Sequence, residues 1–151
     1  MRSVLFVCYA NACRSIMAEA LARHFLGDRV EASSAGLAPS GYIPDLTLEV
    51  LEEAGISTDG LYSKGFFAVP FSEIDYLVNL TKINVKLFIP RFFSGNLISC
   101  PVRDPFGQNI ESFRATREEI ERLIRQKLPE LIGAVSGERL SLFPRHGALR
   151  D

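Results

Sequence analysis

Histidine, cysteine and one-sided charge are all in short supply in this chain. Its two histidines, His24 and His146, lie far apart with no cluster of partners, so each reads as a plain surface residue. No spacing of His, Cys, Asp or Glu matches a metal-ligand pattern, and neither a metal nor a cofactor is expected. Three cysteines, Cys8, Cys13 and Cys100, are an odd number and do not form the framework of a secreted disulfide-rich protein. A reducing cytoplasm is the expected setting. The 17 Lys and Arg against 18 Asp and Glu give a formal net charge of -1, which calls for neither nucleic acid nor an anionic membrane. No apolar run is long enough to span a bilayer. Met1-Arg2-Ser3 leads directly into a strand, with no signal-peptide layout ahead of it. Internal repeats, low-complexity tracts and a second domain are absent as well.

What is present suits one compact domain. The chain has 151 residues, 47% of them hydrophobic, enough for a single core. The domain is expected over 1–135, with a tail over 136–151. The tail mixes Ser, Gly, Pro and Arg around the short apolar run Leu140-Ser141-Leu142-Phe143. Within the domain, strands are expected at Ser3–Val7, Arg29–Ser33, Ile74–Leu80 and Asn96–Ser99. Helices are expected at Ser15–Leu26 with Gly27 as a stop, at Pro44–Ala54 ended by Gly55, and briefly at Lys82–Phe88 before Pro90. The longest, Ile110–Ile132, has Phe113, Ile120, Leu123, Ile124 and Leu128 as its apolar face, with Pro129 set to kink or shorten it. This alternation predicts an α/β fold of three layers, a four-stranded parallel sheet with helices on both faces. Ligands of such folds bind at the carboxyl ends of the strands.

The first strand delivers a thiol to that edge. Cys8 follows Val4-Leu5-Phe6-Val7, and Arg14-Ser15 opens the first helix six residues later. Free N–H groups and the peptide dipoles make a helix start favourable for an anion. The same field favours the thiolate, the nucleophilic form of cysteine. Arg14 can fork two donors onto two phosphate oxygens, and the amides of Tyr9, Ala10, Asn11, Ala12 and Cys13 can form an anion nest. Asn11 tolerates the left-handed backbone such a curl needs. Ser15 is placed to hydrogen-bond the thiolate and ease its departure from a covalent intermediate. Taken alone, a cysteine at a strand end is a small buried hydrophobe; Arg14, Ser15 and the helix start turn the reading to attack on a phosphate.

The stretch Val7-Cys8-Tyr9-Ala10-Asn11-Ala12-Cys13-Arg14-Ser15-Ile16-Met17-Ala18-Glu19-Ala20 resembles the signature loop of low-molecular-weight protein tyrosine phosphatases. Ser34-Ala35-Gly36 resembles the family's segment after the second strand, and Asp104-Pro105-Phe106-Gly107 its aspartate-proline loop. The resemblance runs from Arg2 to about Ile132. It implies Cys8 as nucleophile, Arg14 as oxyanion clamp and Asp104 as the acid that protonates the leaving group, then the base for water. Pro105 restricts Asp104 to extended conformations and so helps aim it. Ser34 and Phe106 are expected to line the pocket, Phe106 by stacking on an aryl group. The implied partner is a phosphorylated protein, phosphotyrosine by default, with phosphate, sulfate or arsenate as anion ligands. The stretch from Asp104 through Phe113 to Thr116-Arg117-Glu118-Glu119 also resembles bacterial phosphoarginine enzymes.

Three positions depart from the family pattern. Ala10 replaces a usual glycine, and its methyl strains the loop if that position needs positive φ. Ile16 replaces a proline, leaving the helix start less pre-organised. Tyr9 is bulkier than usual and is placed to wall the pocket. Arsenate reduction on the same scaffold is the alternative, and it needs further thiols. Asn79-Leu80-Thr81 after the third strand offers none. Cys13 reads either as a disulfide partner for Cys8 under oxidation or as a small buried residue; Cys100 reads as structural.

Overall fold

The computed structural model describes residues 1–133. The tail over 136–151, with His146 and the apolar run at Leu140–Phe143, lies outside the described residues. Four strands, β1 (Arg2–Cys8), β2 (Val30–Gly36), β3 (Tyr76–Asn79) and β4 (Asn96–Ser99), form one sheet in the order β2-β1-β3-β4. Every pairing is parallel, with Cys8 opposite Gly36 and Val7 opposite Asn79. The order reverses beside β1, so its carboxyl end opens at the switch point of the sheet, where α/β folds hold ligands.

The expected α/β architecture is present, with unequal layers. Val4 and Phe6 face α1 (Arg14–Leu26), α2 (Asp45–Glu53) and α3 (Ile110–Arg122), packing with Met17, Leu21, Val50, Leu51, Phe113, Ile120 and Ile124. Leu5 and Val7 face the opposite way, onto Phe71, Ile74, Leu77 and Val85. That second layer consists of one-turn 3-10 helices at Phe66–Ala68, Phe71–Glu73 and Val85–Leu87. Val4 to Val7 are wholly buried, as the unbroken apolar run requires of a strand covered on both faces. Each such side chain contributes roughly 1.5–3 kcal/mol of burial.

Local chemistry explains the departures from the expected elements. The helix expected over Lys82–Phe88 shrinks to a single turn because side chains occupy the backbone groups it would use. Asn79 donates to the Ile83 carbonyl at 2.8 Å, Thr81 accepts the Ile83 N–H at 2.9 Å, and Asn84 accepts the Lys86 N–H at 3.2 Å. β3 is correspondingly shorter than expected, while β2 runs on through Ser34-Ala35-Gly36. The long C-terminal helix is not regular: a π-helical segment, Leu123–Lys127, separates α3 from α4 (Leu128–Leu131). The wide turn lies just ahead of Pro129, where a regular helix would bring the ring against the carbonyl one turn back. α2 ends as expected at Gly55, whose φ of 75° supplies the left-handed exit.

Candidate active site

Cys8 is the last residue of β1, and the chain then curls through Tyr9–Cys13 into α1. The carbonyls of Cys8, Tyr9 and Ala10 are turned away, accepting from the N–H groups of Leu37 (3.2 Å), Ala38 (2.8 Å) and Ser40 (3.0 Å). Ala12 is held the same way, its carbonyl accepting from the Thr47 hydroxyl at 3.0 Å. With the carbonyls engaged behind the loop, its N–H groups are left to the other side. Among the described residues, the N–H groups of Ala10, Asn11, Ala12, Cys13 and Arg14 have no backbone acceptor. Cys13 is the residue before α1, and no side chain caps that end. An uncapped helix start beside a run of free amides is an anion nest.

Asn11 makes the curl possible. It is the one non-glycine with positive φ among the described residues, at 49°. Its amide nitrogen donates to Ser15 Oγ at 2.7 Å and Ser34 Oγ at 3.0 Å, and its oxygen accepts the Lys64 N–H at 2.8 Å. Ser15 Oγ lies 2.9 Å from Cys8 Sγ. Because Ser15 already accepts from Asn11, its hydroxyl proton is free to point at the sulfur. Ala10 takes no left-handed backbone, so the methyl that replaces the usual glycine adds no strain of that kind. Ile16 is fully buried, so the residue replacing the usual proline serves the core.

Arg14 is held from behind. Its Nη1 donates to the carbonyls of Leu80 at 3.2 Å and Val102 at 3.1 Å. Nη2 lies 3.4 Å from Asp104 Oδ2, and Nε is buried with no protein partner. The Nε–Nη2 edge is therefore the one available for a two-point grip on an oxyanion. Asp104 also accepts the Phe106 N–H at 3.0 Å, a local turn that aims the carboxylate from its exposed loop. Cys8, Tyr9, Ala10, Ala12, Cys13, Arg14, Asp104 and Phe106 line one cleft of about 450 Å³ with Ala38, Ser40 and Tyr42. Its rim is aromatic: Tyr9, Tyr42 and Phe106 are all exposed.

Ser34 departs from its expected place. It is wholly buried beneath the loop, bonded to Asn11 and donating to Glu19, and does not line the cleft. Burial pushes the Cys13 thiol up to about 12, against a smaller opposing effect of Thr47. Burial also raises Cys100, which lies in a separate cleft with Leu123 and Lys127. Glu19, Lys64 and Thr47 also contact the loop or its supporting side chains, although no motif marks them in the sequence. Glu19 carried a usable signal: a carboxylate within the otherwise apolar stretch Ile16–Ala22 of α1 must find partners once buried. Lys64 is brought in by the tertiary fold and has no such mark.

The model of the low molecular weight phosphotyrosine protein phosphatase family matches residues 3–136. The chain belongs to that family. Among its relatives, the glutaredoxin arsenate reductase of Synechocystis sp. is 29% identical over 137 residues, covering 90% of this chain and all of that protein (100%). The low molecular weight protein-tyrosine-phosphatase YfkJ of Bacillus subtilis is 37% identical over 93 residues, 56% of this chain and 60% of that one. The protein-arginine-phosphatase of Bacillus subtilis is 29% identical over 149 residues, covering 85% and 95%. A solved arsenate reductase in its phosphate-binding state superposes with a TM-score of 0.75 at 27% identity, covering 90% of this chain and 100% of that one. The family thus brings both phosphatases and arsenate reductases to the same scaffold, and an enzyme acting on a tetrahedral oxyanion is the common ground. Among the described residues no helix is long and apolar enough to cross a membrane, and no group of three or more His, Cys, Asp or Glu is placed to hold a metal.

Proposed function

We propose that the protein is a cysteine-dependent phosphatase acting on phosphorylated protein side chains in a reducing cytoplasm. The observation that carries this reading is the meeting of Cys8, Arg14 and Asp104 around one cleft, beneath a loop with unpaired amides. Cys8 attacks phosphorus and the bond to the leaving oxygen or nitrogen breaks. Arg14 and the amides of Ala10–Arg14 hold the equatorial oxygens, whose charge is greatest in the transition state. Asp104 delivers the proton that the leaving group takes up. Water, deprotonated by Asp104, then attacks the phosphocysteine, releasing phosphate and the Cys8 thiolate that Ser15 receives.

The rim of Tyr9, Tyr42 and Phe106 fits a flat leaving group. Phosphotyrosine is the default substrate, and phosphoarginine, whose guanidinium is equally flat, is the runner-up within the same chemistry. Arsenate reduction is the second reading, motivated by the Synechocystis relative. It asks for attacking thiols beyond Cys8, and burial holds both Cys13 and Cys100 in the protonated form. Thiols for that route would have to come from a partner protein.

The deciding experiment is hydrolysis of p-nitrophenyl phosphate under reducing conditions, beside Cys8→Ser and Asp104→Asn. Turnover is expected in the wild type, none in Cys8→Ser, and a kcat lowered roughly 100- to 10,000-fold in Asp104→Asn. Phosphotyrosyl and phosphoarginyl peptides then rank the substrates. Absence of turnover, together with arsenite formation in the presence of glutaredoxin and glutathione, would replace the phosphatase reading by the reductase.

A further inference from the structure

We propose that Lys82 and Lys86 form a substrate subsite beside the Cys8 cleft, which takes an acidic side chain near the phosphorylated residue of a protein substrate; it rests on the phosphatase reading for the chain it binds. The molecule as a whole is nearly neutral, yet its charges are segregated. From Tyr76 to Arg103 there is no Asp or Glu, while Lys82, Lys86, Arg91 and Arg103 all fall in that span. Many cations elsewhere are matched: Arg23 and Lys64 by Glu19, Arg29 by Asp28, Arg114 and Arg117 by Glu53, and Arg125 by Glu121. Among the described residues, no carboxylate pairs with Lys82, Lys86, Arg91 or Arg103. A field of one sign with no internal partner attracts a partner of the other sign.

Two of these cations share a cleft. Lys82 and Lys86 line it with Asn79, Thr81, Asn84 and Ser99, and its volume is about 220 Å³. Asn79 ends β3 and Ser99 ends β4, so the cleft opens on the same edge of the sheet as Cys8 at the end of β1. The turn that carries the lysines is fixed from beneath. Asn79 Oδ1 accepts from the Thr81 N–H at 3.0 Å and from its hydroxyl at 2.7 Å. The Ile83 carbonyl is held by Asn79 and its N–H by Thr81. Asn84 spends its oxygen on the Lys86 N–H, which leaves its amide hydrogens for an acceptor. Two ammonium groups and an amide donor on a fixed turn suit a carboxylate, and a site already in place loses little entropy on binding. Beside the lysines, Ile83, Leu87 and Phe88 are exposed and offer apolar surface to the rest of a peptide. The position also sets a register. The Leu80 carbonyl lies 3.2 Å from Arg14 Nη1, and Lys82 follows Leu80 by two residues, at most about 7 Å of chain. An extended peptide advances about 3.3 Å per residue, so the acidic side chain belongs about three to five residues from the phosphorylated one.

The test uses pairs of phosphotyrosyl peptides, or of phosphoarginyl peptides if those rank first, that differ only in Glu or Gln at these positions. Wild type is expected to favour the Glu member roughly three- to tenfold in kcat/KM at low ionic strength, the range of two exposed ion pairs, and through KM rather than kcat. High salt should erase the preference. The double variant Lys82→Gln/Lys86→Gln should bring the ratio to within about twofold of one. Arg91→Gln removes a charge from the same segment outside the cleft and should keep the wild-type ratio. Hydrolysis of p-nitrophenyl phosphate, which has no flanking residues, reports the Cys8 cleft alone. A Glu preference that survives in the double variant, one that falls as far in Arg91→Gln, or an equal loss on p-nitrophenyl phosphate would overturn the proposal. Fluorescence anisotropy of the labelled peptides on Cys8→Ser reads the same ratio without chemistry. A lysine-dependent Glu preference there, in a protein whose wild type hydrolyses neither peptide nor p-nitrophenyl phosphate, would overturn the phosphatase reading and leave the subsite standing. No peptide preference, together with lysine-dependent binding to phosphatidylserine vesicles, would assign the cations to a bilayer surface and overturn the subsite.

Discussion

Arg14 shows how much of this site depends on a single side chain having more than charge. Two carbonyls fix its Nη1, leaving Nε and Nη2 as a paired edge toward the cleft. A lysine would bring the charge but not the paired edge, and it would take from the Val102 carbonyl its Arg14 donor, while the Leu80 carbonyl keeps the Val102 N–H at 2.9 Å. Arg14→Lys is therefore expected to weaken inhibition by tungstate or phosphate roughly 10- to 100-fold, the value of about 1.5–3 kcal/mol for hydrogen bonds to a charged group. A thermal melt beside the inhibition constants separates loss of anion grip from loss of fold. Asn11 illustrates the same point for backbone: its side chain satisfies three partners while its main chain takes the left-handed turn that Cys8 and Arg14 need.

Among the elements, β2 matters through its last residue. Gly36 lies opposite Cys8 and beneath the phosphate loop. A methyl there would stand 2.7 Å from the Asn11 nitrogen, 2.8 Å from the Tyr9 oxygen and 2.9 Å from the Ala10 carbonyl carbon, all backbone atoms. The loop would have to lift. Gly36→Ala is expected to destabilise by about 1–3 kcal/mol, a typical cost of overpacking. Its larger effect should be on anion affinity, measured by calorimetry with phosphate, because the displaced atoms include the nest amides. Retained affinity would show that the loop shape is set without β2. Ser34-Ala35-Gly36 are expected after the second strand; pairing with β1 draws these residues into the strand itself. Strand ends follow hydrogen-bonding partners, which local composition does not reveal.

At the scale of the whole molecule, the helical layer is stapled by charge as well as by burial. Glu53 at the end of α2 accepts from Arg114 Nε at 2.7 Å and from Arg117 Nη1 at 2.9 Å, both on α3. Arg114, then Arg117, holds its carboxyl down to about 2 from an ordinary 4.5. Because the folded value is the lower one, the unfolded chain takes up the proton first as pH falls. The stabilisation is present above about pH 4.5 and is lost progressively toward about pH 2. Thermal melts over that interval should show wild type losing more stability than Glu53→Gln, with the difference shrinking in high salt because the carboxylate is exposed. Equal slopes would mean the staple contributes nothing.

The alternation of strands and helices, the buried β1 run and the Cys8-to-Arg14 loop at its end are all legible along the chain. These depend on hydrophobic period, Gly and Pro stops and short-range spacing, all local properties. Tertiary structure decided the rest. It shortened the Lys82–Phe88 helix to one turn, covered one face of the sheet with 3-10 turns, and placed Ser34 under the loop rather than in the cleft. It also brought Lys64 to Glu19 from a distant part of the chain. Such contacts are chosen by which surfaces must be covered and which buried polar atoms must be paired, and only the folded chain meets both demands at once.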